Sequence, residues 1–363
     1  MKKFTGFECG MGIGGWLTNY KRFAVIPEKR RMDLTIGDFE HFDSYITERD
    51  VKYIASLGLD HIRLGFDQIV VEESPYVYRT HIFDLIEGFV KNCSKHGLNV
   101  VLNLHKAVGN YCDIDEPIKL LDDDALQSRF TALWCEFERR FEKYPSVAFE
   151  LLNEVKLVDP ESWNRLAERT LSSIRKLNPT RKVIIGSIGW NGIDKLKLLK
   201  LYDDENVIYT FHMYSPFGFT HQRGVLQSDT IYYNRDMPYP CDIERYRDFE
   251  RVVYHTADPL PGYTEMGRDY INDIMAPAAE FCEAHPDKIL WCGEFGTIRH
   301  AKLEWRENYM RDVITFLRSH DIPYCVWNYL STPNDGNRFS LVDDEKREIV
   351  SEKMARIIRG ELS

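Results

Sequence analysis

Two periods alternate along the chain. Short apolar runs at residues 7–13, 59–64, 98–104, 147–152, 182–186, 207–211, 288–292 and 323–327 have the length and composition of buried strands. Between them lie segments with apolar residues at helical spacing, at 48–57, 81–96, 123–141, 160–177, 269–284 and 303–319, and a last one at 345–359. Strand followed by amphipathic helix, repeated, implies a parallel sheet with helices packed on it. Eight such units fit a closed α/β barrel, the (β/α)₈ or TIM barrel, better than an open doubly wound sheet.

One stretch breaks the rhythm. Residues 214–268, after the sixth strand, show no clear repeat unit, and loops beyond about 12–15 residues are usually lids or small subdomains. The expected organisation is therefore a single catalytic domain over 1–363 with an insertion at about 214–268. This segment carries Tyr232, Tyr233, Tyr239, Tyr246, Tyr254 and Tyr263. Their flat faces and hydroxyls suit sugar binding away from the reacting bond, or simply the packing of the insertion's own core.

With 44% hydrophobic and 29% charged residues, the 363-residue chain is ordinary for a folded soluble protein. A net charge of −10 argues against nucleic acid or an acidic membrane surface as partner. No apolar run reaches the length of a membrane span, and Met1–Gly10 has two lysines but no apolar run behind them. The location expected from this is cytoplasmic, although a secreted chain with its leader removed would look the same, and a monomer is expected. The eight cysteines lack any Cys-x-x-Cys pair and read as reduced thiols rather than a zinc site. No G-x-G-x-x-G follows the first strand and no Walker A motif occurs, so no nucleotide cofactor is expected.

In a barrel, the residues just past the C-terminal ends of the strands form the active face. At or just past those ends stand Arg63 near the end of strand two, His105 after strand three, Asn153 and Glu154 after strand four, His212 and Tyr214 after strand six, Glu294 after strand seven and Trp327 at the end of strand eight. Singly, each has a structural reading: an ion pair, a satisfied interior histidine, barrel packing. Jointly they place polar groups at six strand ends, with glutamates on strands four and seven able to face each other across a ligand. Hydrolysis of a glycosidic bond needs two such opposed carboxyls.

Leu152-Asn153-Glu154 and Gly293-Glu294-Phe295-Gly296, together with Arg63, His105, His212-x-Tyr214 and Trp327, resemble glycoside hydrolase family 5 of clan A over nearly the whole chain. Gly14-Gly15-Trp16, the segment from Ala148 to Val155 and Ser215-Pro216-Phe217-Gly218-Phe219-Thr220-His221-Gln222 bring it nearest to the family's clostridial endoglucanase C type. The resemblance implies that Glu154 is the general acid/base and Glu294 the nucleophile of a retaining reaction. It also implies that Asn153 holds the sugar 2-hydroxyl, that Arg63 and Tyr214 keep Glu294 ionised and aimed, that His105 and His212 line the cleavage subsite, and that Trp327 is the platform beneath that sugar. The charge of Glu294 would then help to keep Glu154 protonated.

Three positions depart from the usual pattern. Val155 replaces a proline after the catalytic glutamate, as in the endoglucanase C type. Gly65 replaces proline in Arg63-Leu64-Gly65-Phe66. Lys106 stands where a second histidine often follows His105, which bears on glycan preference. The implied substrate is a β-1,4 or mixed-linkage glucan or its oligosaccharides, with no metal and no cofactor. Alternatives are an exo-acting β-glucosidase or β-1,3-glucanase of the same family, a metal-dependent barrel hydrolase using His105 and His212, and a barrel that binds carbohydrate without cleaving it.

Overall fold

The computed structural model describes residues 2–22, 25–31, 33–224, 228–332, 335 and 337–362. All eight apolar runs become barrel strands: β1 (Cys9–Leu17), β2 (His61–Asp67), β3 (Asn99–Lys106), β4 (Val147–Glu150), β5 (Val183–Gly186), β6 (Val207–Met213), β7 (Ile289–Phe295) and β8 (Tyr324–Val326). Each pairs in parallel with its sequence neighbours, and β1 closes the ring against β8 with Cys9 opposite Tyr324 and Met11 opposite Val326. These strands read as continuous apolar runs because both their faces are covered.

The outer layer follows the helical spacing closely: α1 (Glu48–Ser56), α2 (Thr80–Lys95), α3 (Asp124–Phe141), α4 (Pro160–Leu177), α5 (Arg268–Ala284), α6 (Leu303–Ser319) and α7 (Glu352–Ile358). Two details differ from expectation. The fifth unit, where the repeat rather than any helical spacing implies a helix, returns to the barrel through a short 3₁₀ helix, Ile193–Leu198. The last helix begins seven residues later than the 345–359 spacing suggested, because Asp343 accepts from the backbone N–H groups of Glu345 and Lys346 and Val342 bridges to Ile349. The helix starts only where Ser351 caps the N–H of Met354 at 3.2 Å.

The insertion consists of short helices at Phe217–Thr220, Ser228–Tyr233 and Glu244–Val253 and a small hairpin of Cys241–Asp242 with Glu265–Met266. Its tyrosines serve its own core. Tyr239 and Tyr246 are buried, with hydroxyls donating to Asp312 on α6 (3.0 Å) and to the Pro238 carbonyl (2.8 Å), and Tyr233 donates to Asp248 at 2.7 Å. Among the described residues, Tyr214 alone of the tyrosines in 214–268 lines the cleft described below. The sugar-binding role considered for the others therefore finds no support: Tyr233, Tyr239, Tyr246 and Tyr263 give their hydroxyls to protein partners, and the exposed Tyr232 and Tyr254 do not line the cleft. No helix among the described residues is long and apolar enough to cross a membrane.

The N-terminal end of the barrel is plugged by Phe4, Phe7, Val101, Ala148, Ile184, Ile208, Ile289, Trp291 and Cys325. His61 stands in this plug where Gly10 leaves room for its ring; a Cβ on Gly10 would lie 2.2 Å from Nε2. Asp60 accepts from the N–H groups of Glu8 (2.7 Å) and Cys9 (3.1 Å) and pairs with His61 Nδ1 at 2.7 Å. Burial acts to raise the Asp60 pKa, but the His61 pair and the two N–H groups outweigh it and hold the carboxyl below its ordinary value. A depressed carboxylate pKa contributes stability above the unfolded value, and this is lost as pH falls through the folded one. Asp60→Asn should therefore cost about 1–3 kcal/mol at pH 7. In thermal melts the gap from the parent should close toward pH 3; a gap unchanged by pH would remove the charge from the explanation.

Candidate active site

The strand ends open into one cleft of about 1550 Å³, bordered by the loops after β1 and β8 on one side (Asn19, Lys21, Thr332, Asn337) and those after β4 and β5 on the other (Leu157, Val158, Trp190). Seven of the eight predicted site residues line it or lie at its floor beside Arg63, the fully buried eighth. Arg63 organises that floor. Its Nε and Nη2 donate to the two oxygens of Glu150 at 2.7 and 2.8 Å, Nη1 donates to Glu294 Oε2 at 2.6 Å, and Nη2 also reaches Asn153 Oδ1 at 2.5 Å. Tyr214 donates its hydroxyl to the other oxygen of Glu294, Oε1, at 2.6 Å. Glu294 is thus gripped from two sides by donors, and its carboxylate has no freedom to turn away from the cleft.

Glu154 has a different environment. Its Oε1 meets His212 Nδ1 at 2.8 Å, and its side chain keeps a partial opening to the cleft, 17% exposed. Burial pushes its pKa up to about 8 against the pull of Arg63, and the nearby Asp113 adds to the rise. The charge on Glu294, expected to help, is not among the largest causes: loss of solvation does most of it. Burial also brings His212 down to about 4 and His105 well below its ordinary value, so both imidazoles are neutral at neutral pH. The same cause, with Glu294 beside it, raises the Tyr214 phenol and keeps it a donor.

Trp327 and His105 stack in parallel, centroids 5.3 Å apart at 10°. The indole lies so close to β1 that a Cβ on Gly12 or Gly14 would come within 2.7 or 2.6 Å of it, which explains the glycines of this strand. His105 is held by Asn103 Oδ1 (3.0 Å) and by Asn19 Nδ2 (3.4 Å). Lys106, the departure from a second histidine, does not project freely into the cleft. Its ammonium bonds to Asn19, lies 3.4 Å from Thr18 Oγ1 and 3.4 Å from Asp113, and is 1% exposed.

Several functional groups were not singled out from sequence. Glu150 had a legible signal: it lies two residues after Ala148, which faces the barrel interior, so alternation turns it inward too, where a carboxylate needs a cation. Asn19, Asn191 and Trp190 had none, because each stands on an irregular loop. Trp190 is 46% exposed at the cleft wall, with its Nε1 donating to the Cys112 carbonyl at 3.1 Å.

Glu154, His212 and Glu294 each offer an atom, all within 4.8 Å of one another, so this trio is where a metal ion could be considered. The donor chemistry fits a metal poorly. Both oxygens of Glu294 already accept from Arg63 and Tyr214, and His212 turns its Nδ1 to Glu154, so an ion would have to displace a fixed guanidinium. The arrangement suits paired carboxyl chemistry instead: one oxygen of each glutamate within 4.8 Å of the other, one group protonated and the other held by a cation.

Comparison with known proteins gives the family and the fold. The sequence model for cellulase (glycosyl hydrolase family 5) matches residues 28–332. Endoglucanase C of Acetivibrio thermocellus is 33% identical over 357 residues, 97% of this chain and 98% of that one. Cellodextrinase A of Ruminococcus flavefaciens is 30% identical over 305 residues, 82% of this chain and 78% of its own length. Among solved structures, a hyperthermophilic endo-β-1,4-glucanase in complex with substrate superposes with a TM-score of 0.73 at 21% identity, covering 98% of this chain and 97% of that chain. Cel5A of Thermotoga maritima with mannotriose gives 0.72 at 22% identity, with 97% of both chains covered. At these identities the structures attest the fold.

The Arg63 network generates a stability prediction. Arg63→Met keeps the volume but leaves Glu150 buried and Glu294 without its cation. Removing one partner of a buried pair costs about 3–5 kcal/mol. Urea unfolding at pH 7 should show a loss of that size. A loss below about 1 kcal/mol would mean that the guanidinium is not what holds the floor together.

Proposed function

Because this chain belongs to glycosyl hydrolase family 5 and is an endoglucanase-like glycoside hydrolase, we propose that it cleaves internal β-1,4 bonds of glucan or mixed-linkage glucan, with retention, by double displacement. The observation that carries the retaining reading is the short gap between the carboxyls, oxygen to oxygen within 4.8 Å. Retaining enzymes place the two groups about 5–5.5 Å apart and inverting ones about 6.5–9.5 Å, which leaves room for a water between them.

In this reading Glu294 attacks the anomeric carbon while Glu154, protonated at neutral pH, gives its proton to the departing glycosidic oxygen. Glu154 then takes a proton from the water that releases the sugar from Glu294. Arg63 and Tyr214 aim the nucleophile, and Arg63 also fixes Asn153. Trp327 and His105 form the wall of the subsite in which the bond breaks. Endo action is supported by the shape of the cleft. It crosses the barrel mouth from the β8 and β1 loops to the β4 and β5 loops, which lie on opposite sides of the ring, with the glutamates between. The insertion contributes Ser215, Phe217 and His221 to one flank. The half-exposed Trp190 supports a sugar-stacking role on the β5 side. The exo-acting alternative would need one end walled off.

Proton NMR of the first-formed reducing sugar should show the β anomer; an initial α anomer would sink the assignment of Glu294. Glu154→Gln should lose about 10²–10⁴-fold on glucan and cello-oligosaccharides but keep the first step on an aryl glycoside whose leaving group needs no proton. Glu294→Gln should lose both. The alkaline limb of kcat/KM should fall near pH 8, where Glu154 loses its proton.

Size analysis of products from soluble mixed-linkage glucan tests endo action. Rapid loss of chain length, with a spread of oligosaccharides, is the expected pattern. Glucose or cellobiose released alone from the start would favour the exo reading.

A further inference from the structure

The loop after β5 does something that the established machinery does not explain. Gly189, Trp190 and Asn191 have φ of 65°, 58° and 55° in succession. Asparagine tolerates this left-handed region, but tryptophan seldom adopts it, and a run of three needs outside support. The support is visible on both sides. Gly189 and Trp190 donate their N–H groups to the carbonyls of Lys156 (3.2 Å) and Val155 (2.8 Å), just after Glu154, and Gly192 bridges to His212. The turn carries the Asn191 side chain, fully buried, into the space between these two residues. Gly186 makes room for it: a Cβ there would lie 2.0 Å from Asn191 Oδ1.

The orientation of this amide follows from its partners. Asn191 Nδ2 bonds to the backbone carbonyl of Asn153, which can only accept, so the nitrogen side must face it. The same Nδ2 lies 3.2 Å from His212 Nε2, and its second hydrogen is available there. His212 Nε2 must therefore present a lone pair. In a neutral imidazole the single proton then sits on Nδ1, which faces Glu154 Oε1 at 2.8 Å. With Nδ1–H donating, Oε1 accepts, and the carboxyl proton belongs on Oε2.

We propose that Asn191 is a positioning residue for the acid/base: its amide fixes His212 as the Nδ1–H tautomer and thereby confines the Glu154 proton to Oε2, the oxygen that His212 does not occupy. The inference rests on the reading of Glu154 as the general acid. Without the Asn191 donor, His212 can carry its proton on Nε2. Nδ1 then accepts from Glu154 Oε1–H, and the proton is drawn toward the histidine and away from the leaving oxygen.

The tautomer can be measured without any variant. In protein labelled with ¹⁵N-histidine, long-range ¹H–¹⁵N correlation should show a protonated Nδ1 and a bare, accepting Nε2 for His212, its signal identified among the eleven histidines by loss in His212→Gln. A protonated Nε2 overturns the proposal. Asn191→Asp keeps the shape but replaces the donor by an acceptor, and should bring the proton to Nε2. Its kcat/KM on cello-oligosaccharide should fall about tenfold or more, with a change of no more than about threefold on an activated aryl cellobioside. Equal losses on both substrates in a variant that melts like the parent would make Asn191 a structural residue only and overturn the proposal. If that variant does not fold, the tautomer of the parent protein still decides. Failure of the acid reading would look different: Glu154→Gln would then lose equally on both substrates, with His212 still protonated on Nδ1.

Discussion

A guanidinium without access to solvent has to find its counter-charges inside the barrel, and Arg63 finds them on two other strands. It meets Glu150 on β4 with two parallel hydrogen bonds and Glu294 on β7 with a third, and it steadies Asn153 with a fourth. Burial alone would weaken its hold on the proton, but the two carboxylates outweigh that and raise its pKa above the ordinary value. Desolvating these three charges is expensive, and the cost is offset only if every donor and acceptor is matched with good geometry. Such a group locks the relative position of β2, β4 and β7, and with them Glu294 and the Asn153 that precedes Glu154. The precision of the site is therefore a consequence of burying this cation.

Around that fixed centre the two glutamates are driven to opposite states by their surroundings. Glu294 sits between Arg63 and the Tyr214 hydroxyl, so its charge is met at once. Glu154 faces neutral groups in a poorly solvated recess and holds its proton. Neutral partners matter here: a charged His212 would pull Glu154 toward ionisation, and burial of the imidazole prevents it. One fold thus supplies an anion and an acid within 4.8 Å of each other, the pairing that glycosidic bond cleavage by two carboxyls requires.

The surrounding loops divide by task. Those after β1 and β5 orient: Asn19, itself held by Lys106 at the end of β3, steadies His105, and Asn191 spans Asn153 and His212. The insertion after β6 is anchored outward instead, through Tyr239 and Arg268 to Asp312 on α6. Its Tyr233, Tyr239, Tyr246 and Phe249 are buried in a small core, while Phe217 and His221 line the cleft.

The sequence by itself determined the barrel and most of the site. Strand and helix periods are local properties, and the C-terminal end of a parallel strand faces the active side whatever the loops do, so the strand-end positions of His105, Asn153, Glu154, His212, Tyr214, Glu294 and Trp327, which line the cleft, could be read from the sequence. Glu150 was within reach of the same alternation. What only the tertiary structure decided were relations between residues distant along the chain. That Arg63 serves Glu150 and Glu294 together, that burial rather than Glu294 keeps Glu154 protonated, and that Lys106 is spent on Asn19 and Asp113 depend on desolvation and on distances no spacing encodes. Asn191 is the clearest case. Its backbone is left-handed because β4 and β6 hold the turn from either side, and its amide acquires a direction only from the carbonyl of Asn153 and the ring of His212. Period and propensity carry no trace of a conformation that neighbouring strands impose.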